Sequence, residues 1–228
     1  MGSDARALKI DAARAAIAEV RSSMVVGLGT GSTAEEFIRL LGEETAAGRL
    51  TAITAVCTSN WTVDLARSLG ISCVALSDVD GIDLAVDGAD EIDPHLRMIK
   101  GRGGALLREK IVEQAAKRFL VIADGSKEVE RLGGVPLPVE VVQFVSATML
   151  RRFETLGLPS SLRHRDGRPL VTDEGHHLID LVLPSDRDVA EVVTEIRRFA
   201  GVVETGFFPD EATEAIIARR NGVVRRRR

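Results

Sequence analysis

The chain has 228 residues, of which 45% are hydrophobic and 28% are charged, a composition typical of a globular protein with a substantial core. Its formal net charge of −4 provides no overall positive field, which argues against nucleic acid or an acidic membrane surface as a partner. No apolar run approaches the ~18 residues that span a bilayer, and no signal-like segment opens the chain, so we expect a cytoplasmic location without membrane contact.

The first half of the chain alternates short apolar runs with segments of helical periodicity. Strands are predicted at 24–28, 52–57, 71–75, 82–86, 98–99 and 119–123, and helices at 4–22, 34–41, 61–69 and 104–117. Alternation at this spacing predicts a parallel sheet with helices on both faces. The expected fold class is therefore α/β, with a Rossmann-like sheet.

The composition changes near Gly133–Pro138, which indicates a domain boundary. Beyond it, the pattern predicts strands at 139–144, near 162, and at 170–172, 178–183 and 202–204, with helices at 146–156 and at 186–200, the latter capped by Ser185. This order approximates the split β-α-β arrangement of a ferredoxin-like α+β module, and we interpret it as an insertion.

The C-terminal residues are expected to return to the first sheet as a hairpin of 214–218 and 223–224, turning at Asn221–Gly222. The predicted domains are therefore a Rossmann-like domain of residues 1–131 and 205–228, and a ferredoxin-like domain of residues 132–204. Arg225–Arg228 is predicted to be a frayed and solvated end.

Polar and glycine-rich segments follow the predicted strands, where an open parallel sheet binds its ligands. Because the carboxyl ends of parallel strands share one edge, these segments predict a single cleft. They are Gly27–Thr33, Thr58–Asn60, Asp87–Asp93, Lys100–Gly104 and Asp124–Lys127.

The segment Gly27–Thr33 opens a predicted helix, whose free N–H groups and positive dipole end suit a phosphate. Residues Gly29–Ala34 also satisfy the G-x-G-x-x-A pattern of dinucleotide folds, but a nicotinamide site needs an acid at the end of the second strand. That strand ends in Cys57–Asn60, without an acid. Ser32 and Thr33 instead favour a small phosphomonoester, although a Ser/Thr-capped helix entry without a ligand has the same pattern.

Asp87 and Asp90 flank Gly88, so both carboxylates can turn into one small volume, and Lys100 is followed by a glycine-rich loop. Two acids, a lysine and free backbone amides predict an acid–base site. The alternative is an Asx-rich turn joined to a solvated, glycine-capped loop. The four histidines do not have metal-ligand spacing, so neither a metal nor a cofactor is expected.

Six segments resemble, in order, those of type A ribose-5-phosphate isomerase, and the match extends over nearly the whole chain. They are Gly27–Ala34, Val86–Ile92, Lys100–Leu106, Arg108–Lys110, Ala123–Lys127 and Pro136–Glu140. The resemblance implies metal-independent interconversion of D-ribose 5-phosphate and D-ribulose 5-phosphate through an enediolate, in the non-oxidative pentose phosphate pathway. It also implies a homodimer or a homotetramer.

The resemblance also implies the site residues. The general base falls on Glu109, and Asp87, Asp90 and Lys100 are the other catalytic residues. The substrate-binding positions are Thr30, Gly31, Ser32, Thr33, Asp87, Gly88, Ala89, Asp90, Lys100, Gly101, Arg102, Gly103 and Lys127. Arg102 stands where some members of the family have glycine, which changes the polarity of that rim.

Two other functions remain open from the residues alone. An amino-sugar phosphate deaminase would share the phosphate loop but should need an acid–base histidine in the cleft, where only His95 is near. A non-catalytic sugar-phosphate sensor would keep the phosphate loop and lack Glu109 or Lys100, and both are present. An assay for ribulose 5-phosphate formation distinguishes these readings from an isomerase.

Overall fold

A computed structural model describes residues 2–228 and divides them into two compact units. The first unit contains the residues up to Ala89, Arg108–Glu128 and Asp210–Arg228, and the second contains Asp90–Leu107 and Val129–Pro209. Residues 90–107, 129–131 and 205–209, which are predicted to belong to the first domain, thus group with the second unit. No helix in the described part of the chain is long and apolar enough to cross a membrane.

Helices and strands are numbered here in chain order. The helices are α1 (Gly2–Ile17), α2 (Ser32–Ala46), α3 (Asn60–Ser68), α4 (Leu106–Gln114), α5 (Ser146–Thr155) and α6 (Val189–Ile196). The strands are β1 (Val25–Leu28), β2 (Thr54–Cys57), β3 (Ser72–Cys73), β4 (Leu84–Asp87), β5 (Glu91–Ile92), β6 (Met98–Ile99), β7 (Phe119–Asp124), β8 (Leu137–Val141), β9 (Ser160–Leu162), β10 (His164–Arg165), β11 (Arg168–Pro169), β12 (His177–Leu181), β13 (Val202–Thr205), β14 (Phe207–Phe208), β15 (Glu214–Arg219) and β16 (Gly222–Arg227).

The first unit is built on a seven-stranded sheet of order β16-β15-β7-β4-β1-β2-β3. All neighbouring pairs are parallel except β15 with β16. The order 3-2-1-4-5 of its first five strands along the chain, β3-β2-β1-β4-β7, is that of a doubly wound sheet. The predicted parallel α/β sheet is therefore confirmed, and the C-terminal hairpin returns to it as expected.

The central strands β1, β4, β7 and β15 are buried on both faces, and most of their successive positions are apolar. One face carries Val26, Leu28 and Val86, which pack in a single core with side chains of α1, α2 and α3. The other face carries residues such as Val121, which is fully buried. Helix α4 covers part of that face, since Val112 Cγ1 would lie 2.7 Å from a Cβ added at Gly27 of β1.

The second unit contains a four-stranded antiparallel sheet of order β13-β8-β12-β9. With α5 between β8 and β9 and α6 between β12 and β13, this is the 4-1-3-2 order of a ferredoxin-like module, so the predicted inserted module is confirmed. Apolar residues of the sheet and of both helices form its core, including Phe153 and Ile179. A smaller sheet of order β14-β6-β5 and the hairpin β10-β11 complete the unit.

Two local predictions in the second unit are wrong. The strand predicted at 170–172 is reduced to a single bridge from Val171 to His177, because the chain turns directly after it, where the Gly175 N–H donates to the Thr172 carbonyl at 2.9 Å. Helix α6 begins at Val189 rather than at residue 186, since Asp188 Oδ1 accepts the Ala190 N–H at 2.8 Å and is the actual cap.

The predicted frayed C-terminus is also wrong. Arg225 and Arg226 lie within β16, where pairing with β15 brings their side chains beside carboxylates. Arg225 Nη1 lies 2.6 Å from Glu19 Oε1 and 3.2 Å from Glu214 Oε1, and Arg226 Nη2 lies 2.6 Å from Glu128 Oε1. Hydrogen bonding from Arg225 holds the pKa of Glu19 below its ordinary value.

We expect Arg225→Met to lower the free energy of unfolding by about 1 kcal/mol at pH 7, because two ion pairs are lost and partial exposure weakens each of them. The lowered pKa of Glu19 means that this stability is present above the ordinary value of 4.5 and is lost as the pH falls through the folded-state pKa. Urea unfolding at pH 7 and at acid pH measures the difference. Arg220→Met is the control, since Arg220 is 89% exposed. An equal loss of unfolding free energy in that variant would refute the assignment of this stability to the ion pairs of Arg225.

Candidate active site

The strand order of the first unit reverses between β1 and β4, which pair through Leu28 and Val86. Ligands of doubly wound sheets bind at such a reversal, beyond the carboxyl ends of the strands. Four of the five segments expected at this edge follow strands of this one sheet. These are Gly29–Thr33 after β1, Thr58–Asn60 after β2, Asp87–Ala89 at the end of β4 and Asp124–Lys127 at the end of β7. Lys100–Gly104 and Asp90 belong to the second unit.

Asp87 and Gly29 meet where the strand order reverses. Asp87 is 1% exposed, and its Oδ1 accepts the Gly88 N–H at 2.6 Å. A Cβ added at Gly29 would lie 2.0 Å from Asp87 Cγ and 2.1 Å from Oδ1. Only glycine therefore allows the loop after β1 to pass beside this carboxylate. Gly88 is also close to the loop, since a Cβ added there would lie 3.8 Å from Thr33 Cβ.

A cluster of hydroxyl groups holds the glycine loop. Thr30 Oγ1 lies 2.7 Å from Thr58 Oγ1, 2.8 Å from Ser59 Oγ and 3.0 Å from Thr62 Oγ1, and Thr62 also donates to the Gly29 carbonyl at 3.0 Å. Thr58, Ser59 and Thr62 are buried. The hydroxyl of Thr30 is therefore engaged in fixing the loop. The polar turn after the second strand is the only feature of the sequence that points to this role of Thr62.

Helix α2 begins at Ser32, after Gly31 with a φ of 136° and without a side-chain cap. Its first-turn N–H groups and dipole end make this a favourable position for a phosphate group. Lys9 of α1 donates from Nζ to Ser32 Oγ at 2.8 Å and places a positive charge beside the loop. Sequence reasoning missed Lys9, because it precedes Ser32 by 23 residues and acquires this position only when α1 packs against α2.

Glu109 lies in the first turn of α4, on the helix whose Val112 packs against β1, and it is only 2% exposed. The helix begins at Leu106 rather than at residue 104, so Glu109 is closer to the helix N-terminus than predicted. Arg108 Nη1 donates to Asn60 Oδ1 at 3.0 Å, which ties this turn to the segment that follows β2. Glu109 is therefore a buried carboxylate near the carboxyl edge of the first unit's sheet.

Lys127 ends a short 3₁₀ turn, Gly125–Lys127, directly after β7. Asp124 Oδ1 accepts the Ser126 N–H at 2.9 Å and shapes this turn, so the Asp124 carboxylate has a structural contact of its own. Lys127 is half-buried. The adjacent Glu128 accepts from both Nε and Nη2 of Arg219, at 2.7 and 2.6 Å, which fixes the chain after the turn.

In the second unit, Asp90 and the loop Lys100–Gly104 contact each other. Asp90 donates from N to the Ile99 carbonyl at 2.8 Å, and its Oδ2 accepts the Arg102 N–H at 3.0 Å. Lys100 is 2% exposed, with its N–H donated to the Gly206 carbonyl at 2.8 Å and its Nζ 5.4 Å from the centroid of the Phe208 ring. The structure thus brings these three predicted site residues together within one unit.

Gly101 and Arg102 have different environments in this loop. Gly101 has a φ of 100°, and a Cβ there would lie 2.9 Å from Leu106 Cβ, so both the turn and the approach of α4 require glycine. The Arg102 side chain and Gly103 are exposed. Arg102 therefore keeps the backbone contacts of the loop while adding a charge at its rim. His95 is exposed, and the residues described contain no group of three or more His, Cys, Asp or Glu that could hold a metal ion.

The strand order and the polar carboxyl edge define a doubly wound α/β protein with an inserted ferredoxin-like module. Residues 54–222 match the model of the family described as ribose 5-phosphate isomerase A (phosphoriboisomerase A). A probable ribose-5-phosphate isomerase 3, chloroplastic, of Arabidopsis thaliana is 47% identical over 224 residues, covering 95% of this chain and 81% of that protein. A ribose-5-phosphate isomerase A of Roseiflexus castenholzii is 48% identical over 215 residues, covering 93% and 92%.

The likeness extends to three dimensions. A solved structure of D-ribose-5-phosphate isomerase in complex with phospho-erythronic acid has a TM-score of 0.93 to this chain at 38% identity, covering 97% of this chain and 98% of that one. The chain belongs to the ribose 5-phosphate isomerase A family.

Gly29→Ala should damage the site more than it damages the fold, because the added methyl group would displace the Asp87 carboxylate. Overpacking of this kind costs about 1–3 kcal/mol in stability. We expect at least a tenfold loss of ribulose 5-phosphate formation, measured by kcat/KM on folded protein. The control is Gly81→Ala, where an added Cβ has no atom within 4 Å. Equal activity of the two variants would show that the closeness of Gly29 to Asp87 does not matter.

Proposed function

We propose that this chain interconverts D-ribose 5-phosphate and D-ribulose 5-phosphate through an enediolate, without a metal ion, in the non-oxidative pentose phosphate pathway. Membership of the family over most of the chain supports the reaction. The observation that carries the mechanism is the burial of two carboxylates, Asp87 and Glu109, in the unit whose sheet ends in the glycine loop.

Glu109 is the proposed proton-transferring base. In the open-chain aldose the hydrogen at C2 is acidic because it lies next to the C1 carbonyl. The Glu109 carboxylate takes this proton, and the C1 carbonyl oxygen becomes one of the two oxygens of the enediolate. The same carboxylic acid then returns the proton to C1, and a ketone forms at C2. One carboxylate suffices because the proton moves between neighbouring carbons, and burial excludes the water that would compete for it.

The enediolate needs donors that are fixed before the reaction, and we assign this role to Lys100 and the backbone amides of Gly101 and Gly103. A buried ammonium and loop amides stabilise developing negative charge with little reorganisation. Asp87 and Asp90, with the Gly88 and Ala89 backbone between them, are proposed to bind sugar hydroxyls. They also move protons during ring opening and between O1 and O2.

We assign the phosphate group to the start of α2, where the amides of Thr30–Thr33 and the hydroxyl of Ser32 are available. Lys127 supplies a charge, and the contact of Lys9 with Ser32 supports a second one at the same loop. Two cations and a helix N-terminus match a phosphate dianion better than any neutral part of the sugar.

Lys127→Ala should weaken binding of ribose 5-phosphate and leave binding of unphosphorylated ribose nearly unchanged. A lost charge-assisted hydrogen bond is worth roughly 1.5–3 kcal/mol, which corresponds to a 10- to 150-fold rise in Kd. Calorimetric titration of both sugars measures the difference, and Lys117→Ala is the control, because Lys117 is exposed and pairs with Asp83. An equal effect on the binding of ribose and of ribose 5-phosphate would show that Lys127 does not bind the phosphate group.

Glu109→Gln should abolish the base while keeping its size and polarity. Since a positioned general base contributes ~10²–10⁴-fold, kcat should fall by that factor or more while KM changes little. Glu113→Gln is a matched control, because Glu113 lies one turn later on α4 and is equally buried, and its kcat should stay within about threefold of wild type. The assay follows ribulose 5-phosphate formation.

Two outcomes would contradict the proposal, the first on the identity of the base and the second on the reaction itself. Retention of more than about a tenth of the wild-type kcat by the Gln variant would place the base elsewhere, with Asp87 as the next candidate. A wild-type chain that binds ribose 5-phosphate and forms no ribulose 5-phosphate would be a sugar-phosphate sensor instead of an isomerase.

We also propose a cytoplasmic homodimer or homotetramer. In support of an assembly, Phe144 is 95% exposed and Val142 is 40% exposed on the second unit, where copies of the chain could bury them.

A further inference from the structure

Arg163 holds the glycine loop of the second unit. It follows β9, and its backbone is fixed by hydrogen bonds with Leu178 and Leu170. Its Nη1 donates to the Gly101 carbonyl at 2.7 Å and to the Arg102 carbonyl at 3.2 Å. A single side chain 62 residues away thus contacts two consecutive peptide groups of the loop that follows Lys100.

Asp180 on β12 fixes the guanidinium in turn. Arg163 Nε donates to Asp180 Oδ2 at 2.8 Å, and Nη2 donates to Oδ1, so the pair is bidentate. The two side chains are only 15% and 22% exposed, which limits screening by solvent. Because Asp180 occupies Nε and Nη2, the remaining Nη1 is aimed at the loop.

The two carbonyls determine where the loop amides point. A peptide group is planar and trans, so its C=O and N–H point in opposite directions. The Gly101 carbonyl shares a peptide group with the Arg102 N–H, which donates to Asp90 Oδ2 at 3.0 Å. The Arg102 carbonyl shares a peptide group with the Gly103 N–H, which is therefore directed away from Arg163.

We infer that Arg163, held by Asp180, is a positioning residue for isomerisation. It sets the direction of the Gly103 amide, which belongs to the loop assigned to the enediolate, and through the Arg102 amide it orients Asp90. The inference rests on the proposed role of this loop. Arg163 acts through the loop and does not itself contact the reacting atoms.

The shape of arginine is essential to this role. Lysine keeps the charge but has one nitrogen, which cannot hold Asp180 at two points and reach two carbonyls at once. Arg163→Lys should therefore leave the loop in place but loosely oriented. A misplacement of donors by about 1 Å can cost ~100-fold in rate, so we expect kcat to fall about 10- to 100-fold while KM changes less than about threefold.

The test measures kcat and KM together with calorimetric binding of an equilibrated mixture of the two pentose phosphates. Binding to one site per chain shows that the loss of kcat does not come from inactive protein. Arg165→Lys is the matched control, since Arg165 is an exposed residue of the neighbouring strand β10, and its kcat should stay within twofold of wild type. A folded Arg163→Lys with kcat within twofold of wild type, or with stoichiometry falling in proportion to kcat, would overturn the inference.

Asp180→Asn keeps the test decisive even if Arg163→Lys does not fold. A neutral amide holds the guanidinium more weakly than a carboxylate, so kcat should fall about 3- to 10-fold. Where the Lys variant folds, the double variant should be no slower than Arg163→Lys, because both changes release the same contact. An unchanged kcat in Asp180→Asn, or losses that multiply, would reject the shared role. A wild type without isomerase activity would refute the proposed function and with it the role of Arg163, whereas an active wild type with an unaffected Arg163→Lys would refute the role of Arg163 alone.

Discussion

The close approach of Gly29 to Asp87 is the constraint on which the first unit's part of the site depends. Parallel strands β1 and β4 are neighbours where the strand order reverses, and the chain leaving β1 must pass directly over the last residue of β4. Any side chain at Gly29 would occupy the space of the Asp87 carboxylate. The same approach brings the start of α2 beside a buried acid, so the loop assigned to phosphate and the acid assigned to the sugar are positioned by one backbone contact.

The two loops assigned to the substrate are held by different side-chain chemistry. In the first unit, Thr30 is fixed by neutral hydroxyl groups, among them Thr62. In the second unit, a guanidinium held by a carboxylate fixes the loop through its carbonyls. Loops have few backbone partners of their own, so without such contacts their amides would have to reorganise during the reaction. Side chains that occupy the carbonyls hold the amides of the same peptide groups in the opposite direction, which is the kind of fixed geometry that the proposed stabilisation of the enediolate requires.

Burial of charge at the site opposes stability. Asp87, Lys100 and Glu109 are each no more than 2% exposed, and a buried charged group is costly unless its surroundings are polar or paired. The rest of the fold offsets this cost with two apolar cores and with ion pairs at its margins. The C-terminal strand β16 is an example, since its arginines neutralise Glu19 and Glu128 beside the first sheet. These stabilising contacts therefore involve residues other than those assigned to catalysis.

The sequence by itself determined the alternation of strands and helices, the parallel sheet, the inserted ferredoxin-like module and the order of the family's motifs. These features follow from local apolar periodicity and from residue types next to one another in the chain. Tertiary structure decided what depends on contacts distant in sequence: the ordered arginines of β16, and the contacts of Lys9 with Ser32 and of Arg163 with Gly101. The last two join residues 23 and 62 positions apart. Such contacts arise only when packing of helices and strands brings the partners together, so no local pattern records them.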